Sequence, residues 1–263
     1  MNQQSFSAKI ARDMFGIQMK WSLWFLLFVL IAHIAMLIIS AKTGNRVGDF
    51  LFFSHGSAKI YMLVIGILST YAFMTFFIHN GLTRKDYFKG SALAAAGIAF
   101  AMTLIAAVLS LIEYLVLGVT HLPVSLNRSL TEIGIQVSGN SISAFLPKAI
   151  IGSSILVHSD SFMGTLFMYI LNTLTYYVVG WLIGAGFYRF GWLIGLGFVA
   201  MSIVLVTIGD LLWGTKLGEP LSHWLAFDSL DLPLYGSLVG TIALIALMLW
   251  LIRLLTRDVM IKM

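Results

Sequence analysis

The chain has 263 residues, of which 59% are hydrophobic and only 10% charged, and its mean hydropathy is +0.95. No water-soluble fold hides that much apolar surface, so a soluble domain is excluded. The net charge of +5 does not point to nucleic acid, because the basic residues stand at the ends of apolar runs rather than in patches. The absence of cysteine removes disulfides, thiolate metal sites and cysteine nucleophiles.

In chain order, Ser5 to Met19 places Phe6, Ile10, Met14 and Ile17 on one helical face, away from Lys9, Arg12 and Asp13. That pattern predicts an amphipathic helix lying in the membrane interface, the alternative being a plain continuation of the first span. Apolar runs long enough to cross a bilayer follow at Trp21–Ser40, Lys59–Asn80, Ser91–Gly118, Phe162–Phe187, Gly191–Trp213 and Leu234–Leu255. The stretch from Phe162 to Trp213 is too long for one span and must fold back, with Tyr188-Arg189-Phe190 as the natural turn. The expected fold is an all-α integral membrane protein with six transmembrane helices. It forms a single six-helix domain over the whole chain, with no composition shift to mark a second.

Orientation follows from the basic residues. Lys9, Arg12, Lys20, Arg84, Lys85, Lys89, Arg189, Arg253, Arg257 and Lys262 fall on the N-terminal side, and six others, Lys59 among them, on the far side. This imbalance predicts both termini in the cytoplasm. Segment 119–161 is then a long outer connection, partly apolar over 142–157.

Glycines are spaced for helix packing. The octapeptide starting at Gly180 (Gly-Trp-Leu-Ile-Gly-Ala-Gly-Phe) recurs at Gly191 with one change, and Gly180/Gly184, Gly191/Gly195 and Gly236/Gly240 are each four apart. In lipid such pairs let helix backbones approach closely.

Catalytic signatures are missing. There is no phosphate-binding loop, no H-E-x-x-H and no G-x-S-x-G, and the six histidines lack metal-ligand spacing. Neither a metal nor a cofactor is therefore expected on this chain. Polar groups inside the spans are expensive in lipid and start as functional candidates. They are Glu113 in the third span, His33 in the first and Asn172 in the fourth. Such groups either line a polar route for a substrate or hold neighbouring helices together.

After the second span comes Asn80-Gly81-Leu82-Thr83-Arg84-Lys85-Asp86-Tyr87-Phe88-Lys89-Gly90. Asn80-Gly81 can break the helix, Thr83 can cap a new one, and Asp86 at its third position completes a capping-box-like pair. The expected result is a short helical elbow exposing cations and two aromatics, either as a handle for a soluble partner or as a basic-aromatic membrane anchor.

The Gly-Leu-Thr-Arg-Lys-Asp-Tyr-Phe element, set after the second of six spans in a chain with basic ends, resembles the permease subunits of bacterial ABC exporters of the type-2 class, in the small form found in Gram-positive organisms. The resemblance covers the whole chain in layout and about eight residues in motif. It implies a plasma-membrane protein that pairs with a second permease copy or a related permease and works with separate ABC ATPase subunits, which carry the ATP and Mg. Thr83, Arg84, Lys85, Asp86, Tyr87 and Phe88 would then contact the ATPase, with Arg189 as a minor second contact. The implied function is export of an amphiphile such as a peptide antibiotic or a lipid-like compound. A secondary transporter, or a membrane sensor or immunity protein that does not transport, is the alternative.

Overall fold

The structure is a computed structural model that describes residues 6–44, 47–120, 162–213 and 233–257. The expected outer segment 119–161, apart from its first two residues, lies outside the described residues. Among the described residues, six helices are long and apolar enough to cross a membrane. They are α1 (Phe6–Thr43), α2 (Phe50–His79), α3 (Arg84–Thr120), α4 (Phe162–Phe190), α5 (Trp192–Leu212) and α6 (Leu234–Arg257). Successive helices run in alternate directions, so the chain turns at an elbow end, which holds Gly81 and Gly191, and at an opposite end, which holds Asp49.

The first expectation to change is the N-terminus. Phe6–Thr43 is one helix of 38 residues, about 57 Å long, so among the described residues the amphipathic stretch runs straight into the first span, which was the alternative expectation. The reason is a buried stripe that never breaks phase: Ser7, Ile10, Met14, Gln18, Ser22, Leu26, Val29 and His33 recur at helical spacing straight through residue 20. That stripe packs on α3, where Gly90 receives it. A Cβ at Gly90 would stand 2.7 Å from Ile10 Cγ2 and 2.9 Å from the Ser7 carbonyl oxygen. Phe6 and Ile17, expected on the same face as Ile10 and Met14, are instead exposed.

The second change concerns α2. It begins at Phe50, nine residues ahead of the expected start at Lys59, because Asp49 caps it: Phe52 N donates to Asp49 Oδ1 at 3.1 Å. Lys59 therefore lies inside the helix rather than at its end. Further along, Ser69–Met74 adopts π-helical hydrogen bonding before α-helix resumes at Thr75. At the other end Gly81, with φ of +80°, ends the helix as expected.

Helix α4 is the centre of the bundle. Its most apolar stretch is 72% buried, against 22% for α1 and 17% for α5. It packs on α2 across glycines, since a Cβ at Gly66 would collide with the Tyr177 carbonyl oxygen and one at Gly180 with that of Leu63. At Gly184 the Ile67 carbonyl oxygen would be 2.8 Å away. Hydroxyls and amides add directional links. Gln18 Nε2 donates to Tyr177 OH at 3.0 Å, Ser22 Oγ meets Tyr61 OH at 3.0 Å and Ser54 Oγ meets Tyr169 OH at 3.2 Å. In lipid, where apolar burial gives helices little reason to associate, these close approaches and hydrogen bonds hold the bundle.

The α4/α5 turn is tighter than expected. Helix continues through Tyr188-Arg189-Phe190, and the reversal falls on Gly191 alone, at φ +83°. Nothing lies within 4 Å of a Cβ placed on Gly191, so its role is conformational rather than packing. Gly195 lies against the Phe187 ring, and a Cβ at Gly240 would be 3.0 Å from Leu212. Gly236 closes the first turn of α6, its N–H donating to Pro233 O at 2.7 Å.

Candidate functional site

Three groups of polar residues stand out from the apolar bundle. The first joins two of the sequence candidates. His33 Nε2 and Glu113 Oε1 are 2.9 Å apart, with both side chains buried. The other Glu113 oxygen accepts from the Phe50 backbone N–H at 2.7 Å, which satisfies one of the open donors at the start of α2. Beside it Ser110 Oγ donates to Asp49 Oδ2 at 3.0 Å. Two carboxylates thus converge on one helix N-terminus, where the helix dipole favours negative charge. The His33 ring packs between Phe50 and Phe53, with centroids 5.5 Å and 4.9 Å away. This cluster ties α1, α2 and α3 together at the Asp49 end.

Asn172, the third candidate, belongs elsewhere. It stands about ten residues into α4, facing His55 of α2. Lys59 is completely buried, with Nζ 5.5 Å from the centroid of the Tyr176 ring. It interacts electrostatically with Asp210 in the last turn of α5. Asn172 interacts with the His55 ring, but Asn172 Oδ1 and His55 Nε2 have no partner in ordinary hydrogen-bond geometry. Asn172, Tyr176, Gly209, Asp210, Trp213 and Thr241 line a cleft between α4, α5 and α6. Trp213 Nε1 donates to Thr241 Oγ1 at 3.0 Å across it.

The third group is the elbow. Thr83 Oγ1 accepts from the Asp86 N–H at 3.1 Å and donates to Asp86 Oδ2 at 2.7 Å, so the expected capping pair is formed. The carboxylate returns to the Thr83 hydroxyl rather than to its backbone N–H. Two expectations fail here. The elbow is no separate short helix, because Arg84–Thr120 runs without a break. Its aromatics are not exposed either. Tyr87 is completely buried and donates from its hydroxyl to the Ser69 carbonyl oxygen at 2.5 Å, in the π-helical segment of α2. Phe88 is half-buried, 5.4 Å from the Trp181 ring, with the Arg253 guanidinium 5.6 Å from its own centroid. Lys85 and Lys89 are exposed, whereas Arg84 and Asp86 are half-buried. Arg84 reaches the Arg257 carbonyl oxygen at 3.4 Å. Arg189 donates to the carbonyl oxygens of Leu254 and Leu255 at 2.9 and 3.0 Å, capping the end of α6.

Sequence reasoning missed Asp49, Lys59, His55 and Asp210. The signal for Asp49 was present, since an aspartate directly before Phe50-Leu51-Phe52-Phe53 is a helix start. For Lys59 and Asp210 there was none, because each looked like the charged end of an apolar run. No protein-family model, curated protein or solved structure matches this chain.

Proposed function

We propose that this protein is the membrane subunit of an ATP-driven exporter, set in a bacterial plasma membrane with both termini in the cytoplasm and resting its α2/α3 elbow on a separate ATPase. The observation that carries the reading is the join between the elbow and the bundle. Thr83 and Asp86 make the start of α3 rigid, Lys85 and Lys89 face outward, and Tyr87, between them, is anchored on the π-helical turn of α2. A partner that pushes on the two lysines pushes α3 as a rigid rod and α2 at the turn where its helical hydrogen bonding is already irregular. Such π turns are frequent at functional sites. A basic-aromatic membrane anchor needs no such link, because an anchoring tyrosine faces the lipid headgroups rather than a helix backbone.

In this reading ATP and Mg bind the partner, a second permease completes the pathway, and the exported compound is an amphiphile such as a peptide antibiotic. Arg189 and Arg84 serve the elbow end from within, by capping α6. The test is recovery of an ATP-binding chain on purification from native membrane in mild detergent. The double variant Lys85→Glu/Lys89→Glu is expected to lose that chain while keeping its own thermal stability, as exposed charges contribute little to the fold. Undiminished recovery contradicts the assignment.

One observation favours a second reading. A buried Lys59 coupled to a half-buried Asp210 between α2 and α5 is also what an ion-driven carrier uses. Uptake into inverted vesicles separates the two, since an exporter requires ATP and survives collapse of the proton gradient, and a carrier does the reverse.

A further inference from the structure

The cleft between α4, α5 and α6 has features that the elbow reading does not use. We propose that it binds the primary ammonium group of an amphiphile, and that the Lys59 ammonium, which lies beside the cleft, balances Asp210 when the ligand is absent. This deepens the exporter reading by naming a substrate class, and it rests on that reading only in calling the ligand a substrate.

The groups that face the cleft are those that attract a cation. Asp210 supplies a carboxylate. Asn172 supplies an amide oxygen whose contact with the His55 ring falls outside ordinary hydrogen-bond geometry, in a residue more than nine-tenths buried. Tyr176 and Trp213 supply aromatic rings. A buried acceptor whose donor is poorly placed is under-satisfied, and a ligand N–H makes up the deficit. Size fits as well. The cleft encloses about 10 Å³, room for one group the size of a water molecule or an ammonium. The apolar wall formed by Val206, Gly209 and Leu244 suits a hydrocarbon tail. At Gly209 nothing lies within 4 Å of an added Cβ, so the wall has space at that point.

Lys59 shows that a cation is tolerated here. Its ammonium lies over the Tyr176 ring and feels the Asp210 charge, although Lys59 itself is not part of the cleft wall. An incoming amine competes with it for the same carboxylate and the same ring. An anion would have to approach Asp210 directly, which like-charge repulsion opposes.

The test is equilibrium binding of radiolabelled decylamine to the purified chain in nanodiscs, with decanoate and decanol as matched anionic and neutral probes. Wild type is expected to bind decylamine saturably and the other two only by linear partition into lipid. Asp210→Asn is expected to weaken decylamine binding about tenfold or more, and Lys59→Met to strengthen it, because the internal competitor is gone. Gly209→Leu is expected to abolish binding by filling the cleft. Its Cβ meets nothing, and an unchanged thermal unfolding midpoint checks that the variant folds. Equal decylamine binding by wild type, Asp210→Asn and Gly209→Leu overturns the proposal. So does saturable decanoate binding that Lys59→Met removes. The assay contains no ATPase, so its failure and the failure to recover an ATP-binding partner are separate results.

Discussion

Tyr87 shows how a single side chain decides between two readings of the same motif. As a residue beside Arg84, Lys85 and Lys89 it looks like part of a basic-aromatic belt. Its hydroxyl instead reaches the Ser69 carbonyl oxygen inside the bundle, and its ring sits 6.2 Å from Trp181, edge to face. Burial was not legible in the sequence because the acceptor exists only where α2 departs from α-helical bonding, and hydropathy carries no trace of that. The expected outcome of Tyr87→Phe is a loss of about 1 kcal/mol, from one hydrogen bond. Tyr87→Ala is expected to cost about 3 to 5 kcal/mol, from the cavity left by a buried aromatic. Unfolding of the purified protein in detergent by chemical denaturant measures both. Glu113 makes a parallel case at the opposite end. Its carboxylate meets His33 and the Phe50 N–H, so Glu113→Ala leaves a buried imidazole and a helix-start donor without it. A loss of about 3 kcal/mol is expected, and Glu113→Gln, which keeps an acceptor for Phe50, is expected to lose less in the same assay.

At the level of helices, the α2/α4 contact depends on the absence of side chains. Gly66 and Gly180 face backbone carbonyls that a Cβ would strike, and Gly184 lies nearly as close to Ile67. Backbone cannot retreat as a flexible side chain can, so Gly180→Leu is expected to separate the two helices. The variant should be recovered as aggregate on size-exclusion chromatography. Gly197→Leu, at a position where nothing lies within 4 Å of an added Cβ, is expected to elute as wild type. The glycine spacing made Gly180 and Gly184 visible from sequence. It did not separate them from Gly191, whose role is the positive φ of a turn, because spacing alone does not say whether a glycine is needed for closeness or for conformation. Helix boundaries failed for a related reason. In the sequence Lys59 marks the end of a span, since a charge beside apolar residues ordinarily faces water. Its counter-charge Asp210 lies on another helix, far along the chain. Only the packed bundle shows that the two interact.

Across the whole molecule, six apolar runs were legible because a bilayer demands about 20 apolar residues per crossing whatever the tertiary structure. The arrangement of the crossings was not. α1 pairs with α3 and α2 with α4 as parallel neighbours, with α4 at the centre and α1 and α5 at the margins. The consequence for function is mechanical. The elbow, the π-helical turn of α2 and the ends of α4 and α6 meet at one end of the bundle, held by Tyr87, Phe88 and Arg189. The His33–Glu113 cluster and the Lys59–Asp210 pair lie toward the other end. In the exporter reading proposed above, a push at Lys85 and Lys89 passes through Tyr87 to α2, the helix that carries Lys59.

Because the natural chain has no cysteine, a single Lys85→Cys substitution gives one unambiguous chemical handle at the elbow. The decisive measurement is cross-linking from that position in native membranes, with and without ATP. The account predicts one adduct, containing an ATP-binding chain, whose yield changes when ATP is added. A cysteine that reacts freely with a water-soluble maleimide yet forms no adduct with such a chain in either state would contradict it.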